Sequence, residues 1–309
     1  MLFCSKLGNK VNILKINICP LCGKSHDGTV AHTCTDHYAT GEHFEIHQCK
    51  ECGFLFTQCA PDESVIGRYY ESPEYISHTD THKGITNRIY HWVRRYMLGR
   101  KAALVRRNSG LSHGRLLDIG TGTGYFSHFM QEKGWKVSAI EKSPQAREFA
   151  LQHFGLQVAP PEALAQLEPG SFDVITLWHV MEHLQHLNET WEQLYQLLDK
   201  QGILILAVPN PSSFDARHYG AEWAAYDVPR HLWHFTPSVM QQFGAKHGFK
   251  LAELHPMPFD AFYVSMLSEK NRGSRLAFVK GMWIGFKAWL ASLTRKERSS
   301  SMIYVFRKK

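Results

Sequence analysis

The stretch Arg115-Leu-Leu-Asp-Ile-Gly-Thr-Gly-Thr-Gly-Tyr-Phe126 decides how the rest of the chain is read. Arg115 to Ile119 has the length and apolar character of a short buried strand, and the residues from Tyr125 onward read as a helix. Between them stand Gly120, Gly122 and Gly124. Glycines at such a turn let the backbone reverse tightly and let a ligand come closer than a Cβ would allow. The helix behind the turn aims its unpaired N–H groups at the same spot. A second apolar strand, Trp135-Lys-Val-Ser-Ala-Ile140, follows and ends at Glu141. An acid roughly twenty residues beyond a glycine turn suits a pair of ribose hydroxyls.

The dinucleotide fingerprint requires G-x-G-x-x-G. Here the third glycine comes one residue early, and Asp118 precedes the first by two positions. An acid there favours a ligand with a cationic end over a pyrophosphate. The pattern Asp118-x-Gly120-x-Gly122-x-Gly124 with Glu141 downstream resembles motif I and the following acid of class I S-adenosylmethionine (SAM)-dependent methyltransferases. The resemblance implies that the glycine turn lies against the methionine and ribose portion of SAM and that Glu141 holds the ribose hydroxyls. Thr121, Lys142 and Trp178 join Asp118, the glycines and Glu141 as candidate cofactor-binding residues.

With 309 residues and 44% hydrophobic content, the chain can bury a sizeable core as one large domain plus a small one. No apolar run reaches about 18 residues, so a spanning helix is not expected. The N-terminus lacks a secretory apolar stretch, because Asn, Lys and Gly interrupt it, and the protein reads as cytoplasmic. The net charge of +7 permits an anionic substrate, nucleic acid or a membrane surface without requiring any of them.

Four of the seven cysteines form two matched pairs, Cys19-Pro-Leu-Cys22-Gly and Cys49-Lys-Glu-Cys52-Gly. Each C-x-x-C-G turn aims two thiolates at one point, and two such turns make the tetrahedral sulfur shell of structural zinc. Residues 1–58 therefore read as a zinc ribbon, with Zn2+ held by Cys19, Cys22, Cys49 and Cys52. Cys4, Cys34 and Cys59 read as unpaired, which fits a reducing compartment. Residues 59–110 read as a connector and an amphipathic helix. The connector carries Tyr69-Tyr70-Glu-Ser-Pro-Glu-Tyr75 and suits a lid whose Tyr69 or Tyr70 touches substrate, or a packed linker. The helix, Ile85 to Arg107, pairs an apolar stripe with an arginine-rich face that is read as solvated.

From about residue 111 strands and helices alternate, which predicts a parallel sheet covered on both faces, with ligands beyond the carboxyl ends of the strands. Phe172 to Trp178 is the fourth strand, and His179-Val-Met-Glu182-His183 leaves it. If a helix starts there, His179, Glu182 and His183 share one face. Methyl transfer is an in-line displacement, and an acceptor that must lose a proton needs a nearby base. His179, Glu182, His183 and His231 are therefore the candidate catalytic groups. The segment also resembles the E-x-x-E-H motif of quinone-biosynthesis O-methyltransferases and of RNA 2′-O-methyltransferases, in which acids and His hold a divalent metal. Position 179 is His rather than Glu, so a base is favoured over a second divalent metal.

Two insertions interrupt the expected domain of residues 111–309. The first, 211–235, is dense in aromatics, His and Arg and is read as the acceptor pocket, with Trp223, Tyr226, Asp227, Arg230 and His234 as substrate-binding candidates. The second, 262–298, is apolar and aromatic with basic flanks. It suits a packed helical pair, with peripheral membrane contact as the alternative. Taken whole, the chain resembles a bacterial zinc-ribbon class I methyltransferase. The resemblance implies an α/β, seven-stranded Rossmann-like sheet with a small N-terminal ribbon and a helical insertion before an antiparallel last strand. A related group C-methylates nucleotide-linked deoxysugars, so a sugar or cell-surface glycan precursor is the small-molecule acceptor expected. No aromatic–basic strand face of the kind that binds RNA is evident, which argues against a nucleic-acid partner. The oligomeric state is not readable.

Overall fold

The computed structural model describes residues 12–25, 29–70, 85–257 and 259–309. Cys4 and most of the expected tyrosine-rich lid, residues 71–84, lie outside them. The N-terminal part contains β1 (Ile13–Leu14), β2 (Thr29–Thr35), β3 (His43–Gln48), β4 (Leu55–Gln58) and β5 (Ala60–Pro61). A long helix α1 (Ile85–Ser109) leads to the main sheet. There follow β6 (Arg115–Ile119), α2 (Tyr125–Glu132), β7 (Lys136–Ile140), α3 (Pro144–Phe154), β8 (Val158–Ala159), β9 (Phe172–Trp178), α4 (Leu187–Leu197) and β10 (Leu198–Pro209). The chain ends with α5 (Phe214–Tyr219), β11 (Trp233–His234), α6 (Pro237–Lys246), β12 (Phe249–Met257), α7 (Asp260–Asn271), α8 (Ala277–Thr294) and β13 (Ser301–Lys308).

The main sheet has seven strands in the order β12-β13-β10-β9-β6-β7-β8. Only β13 runs antiparallel to its neighbours. The order reverses between β6 and β9, and such a switch point opens a crevice beyond the strand ends. Its strands read as continuous apolar runs because helices cover both faces: Leu116, Leu117, Val174, Ile175, Ile203 through Val208 and Val305 are all buried. Helix starts follow local chemistry. The Ser143 hydroxyl accepts from the Ala146 N–H ahead of Pro144, and the Thr236 hydroxyl accepts from Val239 N–H ahead of Pro237.

The ribbon sheet draws a strand from beyond residues 1–58. It has the order β11-β4-β3-β2, and the edge strand β11 comes from the 211–235 insertion. Thr57 N–H donates to the Leu232 carbonyl, and its hydroxyl donates to the His231 carbonyl at 2.7 Å. Phe54 stacks on Trp233 and touches Phe235 and Phe243, so ribbon and methyltransferase sheet share one core. Cys59, read as unpaired, is disulfide-bonded. The 262–298 insertion is a helical hairpin. Gly281 and Gly285 of α8 lie so close to Met266 and Phe262 of α7 that an added Cβ would sit 2.5 Å and 2.7 Å from their Cα atoms.

Candidate active site

The glycine turn follows β6 and is fastened to β7: Gly120 and Thr121 N–H both donate to the Ile140 carbonyl. All three glycines have positive φ, at 70°, 57° and 84°. Their surroundings separate their roles. A Cβ on Gly120 would lie 2.3 Å from Val180, and one on Gly124 would lie 2.9 Å from Leu156 and 3.0 Å from Ala150. A Cβ on Gly122 would meet nothing within 4 Å. Gly120 and Gly124 therefore permit packing, while Gly122 faces the open crevice. Its N–H donates to Glu141 Oε2 at 2.8 Å, and Glu141 Oε1 accepts from Ser143 N–H at 2.8 Å. This places a half-exposed carboxylate at the mouth of the cradle, the arrangement that a ribose diol requires.

Asp118 is enclosed within the fold rather than open to the crevice. It is 1% exposed, and its carboxylate accepts from Ser127 at 2.8 Å and from Thr176 at 2.7 Å. Burial pushes its pKa up, and these hydroxyls act the other way. Its place in the motif is to tie β6 to β9 and α2, since Thr121 hydroxyl in turn donates to Ser127. Trp178, at the end of β9, packs edge-on against Phe126 with ring centres 5.4 Å apart and carries the Lys101 ammonium over its face at 4.3 Å. Its indole N–H is buried without a hydrogen-bond partner. Lys142 is exposed beside Glu141. Lys101 went unnoticed in the sequence because it sits among the arginines of α1, with no spacing to mark it.

The residues after β9 do not start a helix. His179 adopts φ 57°, and Met181–His183 form a single 3-10 turn. The one-face expectation for His179, Glu182 and His183 is therefore replaced by a different grouping. His179 lies between two carboxylates, with Nδ1 3.4 Å from Glu182 Oε1 and Nε2 3.4 Å from Asp260 Oδ2. Burial would lower its pKa, but the Asp260 and Glu182 carboxylates outweigh it and raise it to about 9. In that protonated form His179 would donate to both carboxylates rather than accept a proton. Asp260 was missed in the sequence because nothing in its local pattern links it to residues so far upstream.

Glu182 is 1% exposed; Oε1 is paired with His179 at 3.4 Å, and neither oxygen makes a shorter polar contact among the described residues. His183 and His231 face it, with ring centres 4.6 Å apart. One ligand atom from each of Glu182, His183 and His231 falls within 4.8 Å of the other two. His183 Nδ1 lies 3.0 Å from the Arg230 carbonyl and 3.2 Å from the Tyr70 hydroxyl, and His231 Nδ1 lies 2.9 Å from the Ala225 carbonyl. A ring nitrogen against a carbonyl must carry the proton, which leaves each Nε2 with its lone pair free for another partner. Burial and the neighbouring His231 push the His183 pKa down to about 4.

The 211–235 insertion is largely packed against the ribbon. Trp223, Tyr226, Arg230 and His234 are buried core residues. Trp223 donates its indole N–H to Asp215 at 2.8 Å, and Tyr226 packs edge-on to Trp223 and His234. The His234 ring is 3.0 Å from the Thr57 hydroxyl. Arg230 donates to Asp227 at 2.6 Å, to Asp36 at 3.1 Å and to the Tyr69 carbonyl at 2.8 Å, joining insertion, ribbon hairpin and connector. Aromatic and charged density there serves docking on the ribbon, which a sequence pattern cannot distinguish from a ligand pocket. Tyr69 is likewise buried, with its hydroxyl donating to Glu42. Of the substrate-binding candidates, Tyr70 and Asp227 direct side-chain polar groups at the Glu182–His183–His231 cluster, the Tyr70 hydroxyl 3.2 Å from His183 Nδ1 and the Asp227 carboxylate 3.8 Å from His231 Nε2.

The four ribbon cysteines converge within 4.8 Å, with Cys19 Sγ to Cys52 Sγ at 3.6 Å and Cys22 Sγ to Cys49 Sγ at 3.7 Å. Tetrahedral zinc with Zn–S bonds of about 2.3 Å needs sulfurs about 3.8 Å apart, so the shell fits. Gly23 and Gly53 N–H donate back to the Cys19 and Cys49 carbonyls, closing the two turns alike.

The model of a methyltransferase domain family matches residues 91–254. The "Ubiquinone biosynthesis O-methyltransferase" of Xanthomonas euvesicatoria pv. vesicatoria is 29% identical over 182 residues, 54% of this chain and 76% of that protein. The protein of the same name from Xanthomonas oryzae pv. oryzae is 33% identical over 139 residues, so the chain spans only 58% of its length and 42% of its own. Among solved structures, a Burkholderia thailandensis 1,6-didemethyltoxoflavin-N1-methyltransferase aligns with TM-score 0.49 and 14% identity over 90% of this chain and 100% of that one. With just over half its length matched, and with the glycine turn and Glu141 built as that chemistry requires, the chain belongs to the methyltransferase domain family and is a SAM-dependent methyltransferase.

Proposed function

We infer that the chain methylates a hydroxyl oxygen of a small aromatic diol or quinol, with a divalent metal at Glu182, His183 and His231 and a structural zinc at the four cysteines. The convergence of Glu182, His183 and His231 carries this reading. One ligand atom from each lies within 4.8 Å of the other two, beside a buried carboxylate that His179 meets at Oε1. Two imidazoles aim unprotonated nitrogens at the same point, and a carboxylate with two imidazoles is a standard donor set for zinc, manganese or iron. When bound, such an ion lowers the pKa of a coordinated hydroxyl and so supplies the nucleophile.

The chain's own groups then have separate tasks. The Arg230 and Ala225 carbonyls fix the tautomers of His183 and His231. Tyr70 closes the site on the connector side, and His179 balances Glu182 while holding Asp260 at the head of α7. Val180 packs directly against Gly120, so the cluster adjoins the cofactor cradle. The relatives named for ubiquinone biosynthesis act, by that name, as O-methyltransferases, and the acceptor class agrees. The sugar reading draws no support from the relatives' names, which point to O-methylation in quinone biosynthesis.

The test is methyl transfer from labelled SAM to catechol and to a prenylated catechol, together with metal analysis of Glu182→Gln and His231→Ala. Each variant should lose one metal equivalent, keep the cysteine-bound zinc, and lose activity by at least about a hundredfold. Unchanged metal content and rate in both variants would overturn the reading.

A further inference from the structure

Helix α8 is packed inside out. Its buried residues are mostly small, Gly281, Gly285, Ala288 and Ser292, with Gly281 and Gly285 against α7 and Ile284 the one large side chain among them. Its large apolar residues face solvent. Phe278 is 66% exposed and Trp283 57%, and Val279, Phe286, Leu290 and Leu293 continue the stripe at helical spacing. Folding of the described residues does not call for this arrangement, because the apolar face stays exposed among them. A contiguous face of this kind marks a surface that something else covers.

Charge identifies the cover. Between positions 270 and 298 the chain carries eight Lys or Arg residues and one acid. Arg275, Lys280, Lys287, Arg295 and Lys296 are all exposed around the stripe, and the Lys287 ammonium sits 5.1 Å from the Trp283 ring centre. A second copy laid face to face would bring these cations together. An anionic lipid surface would instead pair with them while taking up the aromatic stripe, as interfacial helices do. The opposite face of α8 packs on the helix that borders the active site. Gly285 packs on Phe262, two residues from Asp260, whose carboxylate is held by His179. No helix among the described residues is long and apolar enough to cross a membrane, so the contact would lie in the interface plane.

We propose that the exposed face of α8 docks the enzyme on anionic phospholipid bilayers, so that the site beside α7 draws an amphiphilic acceptor from the membrane. The docking surface stands on α8 itself; the acceptor it serves rests on the reading given under Proposed function. The full chain should float with vesicles of phosphatidylcholine mixed with phosphatidylglycerol, and bind them at least about tenfold better than pure phosphatidylcholine. Brominated acyl chains should quench part of its tryptophan fluorescence. The Trp283→Glu/Phe286→Glu variant should keep its melting temperature and its turnover of soluble catechol, yet lose vesicle binding by at least about tenfold. Lys280→Ser/Lys287→Ser should lose mainly the preference for the anionic lipid. No vesicle binding by the wild type, or binding unaffected by Trp283→Glu/Phe286→Glu, would overturn the proposal. So would a wild-type dimer that Trp283→Glu/Phe286→Glu converts to monomer, since a second copy would then cover the face. Vesicle binding without methylation of any catechol would support the docking surface and refute the acceptor assignment.

Discussion

Replacing Arg230 with methionine should destabilise the protein and disturb the site together. The guanidinium is fully buried and donates to Asp227, Asp36 and the Tyr69 carbonyl. Methionine fills most of the volume but leaves two carboxylates without their cation. Asp36 keeps donors from Tyr38, Ala39 and Thr40, so its share of the cost is reduced. Asp227 keeps the His231 ring nearby, with Nε2 3.8 Å from its Oδ2. Breaking a buried pair on one side costs about 3–5 kcal/mol. At about 2 °C per kcal/mol for a chain of this size, the melting temperature should fall by about 6–10 °C. The site should suffer as well, because the Arg230 carbonyl orients His183 and the Asp227 carbonyl accepts from His231 N–H. Urea unfolding of Arg230→Met, Asp227→Asn and the double variant measures the coupling, and the double variant should cost less than the sum of the two singles by about 1–3 kcal/mol. An Arg230→Met protein within about 0.5 kcal/mol of wild type, the range of a neutral surface change, would refute the reasoning.

Other substitutions separate the roles inferred above. Gly122→Asp should abolish SAM binding with only a small loss of stability, as read by isothermal titration and thermal melting, because the site is open and the new carboxylate competes with the ligand. Gly120→Ala should instead lower the melting temperature, because its Cβ meets Val180 at 2.3 Å. Cys22→Ser should lose one zinc equivalent by metal analysis and lower the first unfolding transition. Tyr70→Phe should leave the fold intact and reduce the turnover rate by about 10–100-fold, the usual penalty for removing a partner of a ligating histidine.

Local chemistry made much of this protein legible before any tertiary contact was known. The apolar runs of β6, β7, β9 and β10, the helix caps at Ser143 and Thr236, and the two C-x-x-C-G turns all depend on residues within a few positions of each other. The glycine turn with Glu141 belongs to the same class, because strand, turn, helix and strand form one local unit. Tertiary structure decided what distance in sequence conceals. Strand β11 completes the ribbon sheet, so an insertion that composition suggested as a pocket became the clasp between two sheets. The same clasp carries His231 to Glu182 and His183, while Asp260 arrives from another hairpin to hold His179 in its charged form. Burial sets these outcomes: Trp223 and Arg230 are chemically suited to ligand binding, and only their enclosure by ribbon and sheet assigns them to the core. The reverse holds at α8, where small residues satisfy the packing and the aromatic face is left to water or to a membrane.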